Sequence, residues 1–244
     1  MDHLQTTKPV KTSDEEVDEL CGSLDDLDTA ATAASAAEAS RMRFALVCDA
    51  TGSMDAAWSA ARSALTVAVD QIKSRTLVPV QIRVVAYRDV DDGPDAVCEA
   101  SDWSDDTDYL KDFIGNIECH GGGDYPESIG RGLRKLVQQQ CKTIILIGDA
   151  PGKEPDTGFE EAIICAKDGC PIYALYTDPN DKRLVTHFEQ IARLSGGKAM
   201  SLTSFKDLKD IISVLLTSNK ALQISYQPES EAGKRAKALL EAKC

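Results

Sequence analysis

Basic charge is scarce in this 244-residue chain: 27 Lys and Arg stand against 40 Asp and Glu, a formal net charge of -13 at pH 7. Nucleic acid and anionic membrane surfaces both select positive protein surface, so neither is expected as a primary partner. Cations and basic protein surfaces remain compatible. Long apolar runs are also missing, and none approaches the ~20 residues of a membrane span. The first residues, MDHLQTTKPVKTSDEEVDEL, lack the apolar centre of a secretory signal. The cytosol is therefore the expected compartment, with an extracellular setting left open. The 8 cysteines (Cys21, Cys48, Cys98, Cys119, Cys141, Cys165, Cys170 and Cys244) include no close pair of the kind that binds zinc. Cys48 and Cys165 sit inside apolar patterns, and buried free thiols are the expectation. Large apolar residues are sparse up to about residue 40, where LDDLDTAATAASAAEAS stands. Residues 1–40 thus read as an acidic, Ala-rich, disordered leader with at most one frayed helix.

Beyond the leader the chain is rich enough to fold. Hydrophobic content is 43% overall, and the length suits one globular domain with extra segments. MRFALVC reads as a buried strand, followed by a helix with Trp58, Ala61, Leu65, Ala68 and Ile72 at three-to-four spacing. VQIRVVAY (80–87) is a second strand, RDVDDGPD a loop, and an edge-type segment lies near Val97. A short helix is expected at Leu110–Ile114. After the loop HGGGDYP, another carries Ile129, Leu133, Leu136 and Val137 on one face. TIILIG (143–148) has the unbroken apolar character of a parallel strand covered on both sides. A helix at 159–166, the strand PIYALYT (171–177), a helix with Leu184, Phe188 and Ile191, a short strand in GGKAMSL and a helix at 205–216 complete the body. The alternation predicts an α/β fold: a doubly wound, mostly parallel, Rossmann-like sheet with helices on both faces. The folded domain is expected over 41–217, with 218–244 a charged C-terminal extension, in which ALQISY is strand-like or extended and EAGKRAKALLEAK helical.

Ligands in such sheets sit beyond the carboxyl ends of the strands. Asp49, Thr51 and Ser53 come after the first strand, Arg88 and Asp89 after the second, and Asp149 after TIILIG. Gly121, Gly122, Gly123 and Asp124 precede the middle helix. The side chains are carboxylates and hydroxyls, with no His or Cys among them. Hard oxygen ligands of this kind suit Mg²⁺, Mn²⁺ or Ca²⁺. Alternate spacing at 49, 51 and 53 lets a tight turn aim three side chains at one point, with Gly52 freeing the backbone.

These residues carry a resemblance. DATGSM resembles the D-x-[ST]-x-S signature of the von Willebrand factor type A domain, which begins a metal-ion-dependent adhesion site. The spacing from Asp49 to Asp149, 100 residues, is similar to that family's. GGGDYPES and AYRD resemble the subgroup of hemicentin-type domains and of domains joined to alpha-type protein kinases; no kinase domain is present here. The resemblance covers roughly 42–217. It implies a non-catalytic module in which Thr51 and Ser53 bind the cation directly and Asp49 and Asp149 act largely through waters. An acidic side chain of a partner protein would complete the coordination. Asp124 stands where that family usually has a Thr. As a ligand it would tighten cation binding and make the site less receptive to an acidic partner.

Each motif also has a plainer reading. Ser53 and Asp55 are common helix caps. GGGDYPES could be a loop with Pro126 at a helix start. YRDVDD is either a solvated turn or a support for the site, with Asp89 orienting a metal-bound water or Thr51 and Arg88 pairing with a site carboxylate. Glu127 is placed either to cap its own helix or to reach the site. His120 and His187 are isolated and read as structural, and Trp58 as core. The rival function is a Mg²⁺-dependent phosphohydrolase of haloacid-dehalogenase type, with Asp49 as nucleophile and Asp149 as metal ligand. Against it, Thr51 stands where those enzymes carry a second acid, and no Lys sits clearly at a strand end. A scaffold with a vestigial site is the third reading.

Overall fold

The computed structural model of the chain describes residues 42–55, 58, 62–63, 66–67, 70, 79–89, 98–217 and 227–241. The leader, much of the helix predicted around Trp58 to Ile72, most of RDVDDGPD, and ALQISY lie outside the described residues.

Among the described residues six strands form one sheet: β1 (Met42–Asp49), β2 (Val80–Tyr87), β3 (Cys98–Ala100), β4 (Cys141–Gly148), β5 (Ile172–Tyr176) and β6 (Ala199–Ser201). Their order is β3-β2-β1-β4-β5-β6. All neighbours are parallel except β3, which pairs antiparallel with β2 at the edge. Side chains alternate across β1. Phe44, Leu46 and Cys48 enter one apolar layer, and Ala45 and Val47 enter the other. Both faces are covered, so the strand reads as continuously apolar rather than alternating. From β1 the chain builds outward to β2 on one side, and from β4 to β5 and β6 on the other. The sheet order therefore reverses between β1 and β4, where a crevice opens beyond the strand ends. Cys48 lies opposite Ile147 in that pair, so Asp49 and Asp149 emerge side by side.

Helices whose bounds fall among the described residues are α1 (Thr107–Asn116), α2 (Ile129–Arg134), α3 (Phe159–Lys167), α4 (Lys182–Ser195), α5 (Leu208–Thr217) and α6 (Glu231–Glu241). α1 is longer than expected because Asp106 caps it, accepting from the N–H groups of Asp108 and Tyr109. α2 is shorter than the pattern through Val137 suggests. Gly130 and Gly132 are weak helix formers. Gly132 is needed for close packing: a Cβ there would lie 3.2 Å from the Tyr87 side chain and 3.3 Å from Val47. Leu133 and Leu136 are still buried. α4 is capped by Asp181 and ends at Gly196, in the left-handed region at φ 80.

The charged terminal helix is more than an extension, because α6 packs on the body. Asp210 of α5 accepts from the N–H groups of Glu229 and Ser230 at 3.0 and 2.5 Å, and Ala232 and Ala236 are buried in the same apolar layer as Ile211 and Leu215. Trp58 is buried in that layer, as its place on an apolar helix face predicts. Among the described residues no helix is long and apolar enough to cross a membrane.

Candidate metal centre

The turn after β1 is organised by one carboxylate oxygen. The backbone N–H of Thr51 donates to Asp49 Oδ1 at 2.8 Å, and the Thr51 hydroxyl is 2.7 Å from the same atom. The Ser53 hydroxyl lies 3.0 Å from that of Thr51. Thr51 stands at the N-cap of the short turn Gly52–Met54, yet its side chain makes no capping bond. Its hydroxyl is committed to Asp49.

The glycine loop packs over this turn. The Gly52 N–H donates to the Gly121 carbonyl at 3.3 Å, and the His120 N–H to Ala50 at 3.2 Å. Gly122 has φ 83. A Cβ there would meet Thr51 Cβ at 3.3 Å and Glu127 Oε1 at 3.4 Å, so only glycine lets the loop lie this close. Tyr125 carries the loop outward: its hydroxyl bonds Asp181, the cap of α4, and Arg183 lies over its ring at 5.7 Å. A cavity of about 290 Å³ opens between loop and turn, with Ser53, Gly122, Asp124, Tyr125, Glu127 and Asp149 on its wall.

The electrostatics are those of carboxylates crowded out of water. Asp49 is fully buried, and burial first, then the charge of Asp149, pushes its carboxyl up to about 7, although its bonds from Thr51 pull the other way. Tyr87 lies beneath, its hydroxyl 3.4 Å from the Ile147 carbonyl. Burial, then the charges of Asp49, Asp149 and Glu127, hold that phenol well above its ordinary value. Asp49 Oδ2 and Asp149 Oδ1 are both buried without a hydrogen-bond partner. Two such carboxylate oxygens side by side are costly unless a cation or a shared proton joins them.

Among the described residues, no three His, Cys, Asp or Glu side chains are gathered closely enough to hold an ion on their own. An ion here would rest on Asp49 and Asp149 together with the hydroxyls of Thr51 and Ser53. The donors are all oxygen, and two of the carboxylate atoms lack a hydrogen-bond partner, which fits a hard divalent cation.

Of the other expected residues, Asp124 lines the cavity, and its Oδ1 accepts from Lys153 at 2.7 Å. The same ammonium lies 3.1 and 3.2 Å from the two oxygens of Asp89, whose side chain is fully buried. Arg88, also fully buried, pairs with Glu99 of β3 at 2.7 Å and donates to the Glu118 carbonyl. Glu127 is 3% exposed. Its backbone pairs with the loop after β4, where its N–H donates to Pro151 at 2.8 Å and its carbonyl accepts from Lys153 at 2.7 Å. His187 serves that loop: its Nε2 is 2.8 Å from the Thr157 carbonyl and its ring stacks on Phe159. Lys153 is the charged group that the sequence pattern does not single out. Its one sequence signal was a lone Lys in PGKEPD, beside the strand end that carries Asp149.

A family model described as the von Willebrand factor A domain matches residues 43–204. No curated protein matches the chain. Solved structures of the same fold include proximal thread matrix protein 1 from the mussel byssus, 19% identical with a TM-score of 0.56, the match covering 77% of this chain and 47% of that one. A further structure of that mussel protein, 20% identical over 72% of this chain and 45% of that one with a TM-score of 0.56, has a zinc-occupied MIDAS motif. A von Willebrand factor type A protein from Catenulispora acidiphila is 16% identical with a TM-score of 0.59, over 73% of this chain and 42% of that one. The vWF domain of the type V pili tip protein Mfa5 from Porphyromonas gingivalis is 13% identical with a TM-score of 0.56, over 78% of this chain and 99% of that one. The chain thus spans less than half the length of the mussel and Catenulispora proteins.

Proposed function

Because the chain belongs to the von Willebrand factor A domain family, we propose that it is a non-enzymatic, cation-dependent protein-binding module. The observation that carries this reading is the pair of buried, unpartnered carboxylate oxygens on Asp49 and Asp149, set beside the Thr51 and Ser53 hydroxyls. When bound, the cation supplies a positive charge that an oxygen ligand of a partner protein can complete. Thr51 is fixed by its two bonds to Asp49 Oδ1, and Ser53 reaches the open side of the cavity. The oxygen-only donor set favours Mg²⁺ or Mn²⁺, with Ca²⁺ next; the mussel protein's zinc-occupied motif makes Zn²⁺ a further ion to titrate. GGGDYPES and AYRD support a place beside the hemicentin-type and alpha-kinase-linked members. The six described cysteines are free thiols, which supports a reducing, cytosolic setting.

Phosphoryl chemistry at Asp49 finds little support. Thr51 occupies the position of the expected second acid and spends its hydroxyl on Asp49 Oδ1. The nearby Lys153 directs its ammonium to Asp89 and Asp124. The test is capture of a partner from cell extract on the immobilised chain with Mg²⁺ and with EDTA, beside the variant Ser53→Ala. Capture that needs the cation and the serine hydroxyl is expected. Capture unaffected by EDTA, or Mg²⁺-dependent hydrolysis of a generic phosphate ester lost in Asp49→Asn, would overturn the proposal.

A further inference from the structure

A second group of reactive side chains lies at the opposite end of the strands from the crevice. Cys141 opens β4, and Cys170 stands just before Ile172, where β5 begins. Cys165 lies in the last turn of α3. All three thiols are buried in one apolar layer, Cys165 at 1% and Cys170 at 2% exposed.

The way α3 ends brings two of them together. The Gly169 N–H donates to the Ala166 carbonyl at 3.1 Å, and the Cys170 N–H to the Cys165 carbonyl at 2.8 Å. Gly169 is in the left-handed region at φ 66. In a helix stop closed by this pair of bonds, the residue after the glycine folds its side chain back onto the last helical turn. With standard bond lengths, the Cys170–Cys165 backbone bond keeps the two Cα atoms within about 7 Å, the limit beyond which a disulfide cannot close.

The sulfurs are unequal. The hydrogen bond from Cys170 holds the Cys165 thiol below its ordinary value, against the effect of burial. Contacts with Cys141 and then Cys165, followed by burial, hold Cys170 above that value. Cys165 is thus the sulfur that ionises first, and the thiolate is the nucleophile. Cys141 is engaged elsewhere: its S–H faces the Arg43 and Thr143 carbonyls at 3.4 and 3.2 Å.

Ala166, Lys167, Asp168 and Gly169 are exposed, and a Cβ on Gly169 would meet nothing within 4 Å. The pair therefore sits beneath one solvated turn at a helix end, where helices fray. Brief opening of that turn admits a small hydroperoxide before it admits a bulky disulfide.

We propose that Cys165 and Cys170 are a redox-active dithiol that a small hydroperoxide converts to a disulfide. The Cys165 thiolate attacks one peroxide oxygen and the O–O bond breaks. This leaves a sulfenic acid on Cys165, and the departing oxygen takes up the proton Cys165 had released, as water or an alcohol. The Cys170 sulfur then attacks the Cys165 sulfur. The S–S bond forms, and the hydroxyl leaves with the Cys170 proton as water. The two thiols together lose two electrons, which the peroxide gains. Cys141 takes no part. A thiol reductant reverses the change, as for the transient disulfides of reducing compartments.

The test treats the full chain with hydrogen peroxide near neutral pH, alkylates the remaining thiols and maps tryptic peptides by mass spectrometry. Cleavage after Lys167 separates the two cysteines, so the disulfide appears as a cross-link between the peptides ending at Lys167 and Lys182. That cross-link is expected, removed by dithiothreitol and unchanged in Cys141→Ala. In Cys170→Ala, dimedone present with the peroxide should label Cys165 several-fold more than in the unsubstituted chain, because its sulfenic acid has no resolving thiol. If a variant does not fold, the map of the unsubstituted chain decides alone. No such cross-link at peroxide levels that oxidise the half-buried Cys98 or Cys119, or a cross-link from Cys170 to Cys141 instead, overturns the proposal.

Discussion

Replacing Asp49 by Asn should stabilise the metal-free protein while abolishing its response to cations. Asp49 is fully buried and its carboxyl is raised from 3.8 to about 7. A group raised in this way contributes fully to stability below its unfolded value, and that contribution is lost as pH rises through the folded value. At pH 8 the ionised carboxyl therefore costs up to about 4 kcal/mol relative to its neutral form. Asn keeps the Oδ1 that accepts from the Thr51 N–H and hydroxyl. Its amide N–H would replace the unpartnered Oδ2 beside the Asp149 carboxylate. For a folded body of this size the gain corresponds to roughly 8–16 °C in Tm at pH 8 in EDTA. It should shrink to a few degrees by pH 5, where Asp49 is already neutral in the native state. Adding Mg²⁺ should reverse the order, because the original chain gains stability by mass action and the variant does not. Thermal melts at pH 5, 6, 7 and 8, with EDTA and with Mg²⁺, check this. A lower Tm for Asp49→Asn in EDTA at pH 8, or a difference independent of pH, would refute the reasoning.

Gly122→Ala should cost about 1–2 kcal/mol from the left-handed backbone alone. Its Cβ would also press on Thr51 and Glu127, so cation affinity should fall with stability; denaturant melts and calorimetry check both. Asp210→Ala removes the acceptor for the N–H groups of Glu229 and Ser230 and should cost about 1–3 kcal/mol. Amide exchange should then speed up in α6 before it does so in the sheet. Arg134→Met strips Glu161 and Asp156, both mostly buried, of bonds at 2.7 and 3.2 Å. It should lower stability by about 1–3 kcal/mol without changing cation affinity, as read by chemical melts beside a Mn²⁺ titration.

The fold was legible in the sequence because it rests on local signals. Apolar runs such as TIILIG and the helical spacing of Leu184, Phe188 and Ile191 specify strands and helices without reference to distant residues. The position of Asp49 and Asp149 beyond neighbouring strands was legible because strand ends are where a doubly wound sheet opens its crevice, and β1 and β4 are neighbours in the sheet. The partners of Asp89 and Asp124 were hidden. Lys153 lies 64 and 29 residues away from them along the chain, in a loop with no period to betray its direction. The tie from Tyr125 to Asp181 spans 56 residues and was hidden for the same reason. α2 was overextended because the apolar pattern through Val137 outweighed two glycines, one of which is needed for close packing on Tyr87 and Val47. Burial of α6 was missed because its contact residues are small: Ala232 and Ala236 carry little apolar weight in a charged segment.

The most direct measurement is anomalous diffraction at the manganese edge from crystals grown with MnCl₂. A single strong peak is predicted beyond the ends of β1 and β4, bounded by the carboxylates of Asp49 and Asp149 and the hydroxyls of Thr51 and Ser53. A peak elsewhere on the molecule, or none in that crevice at saturating Mn²⁺, would contradict the account.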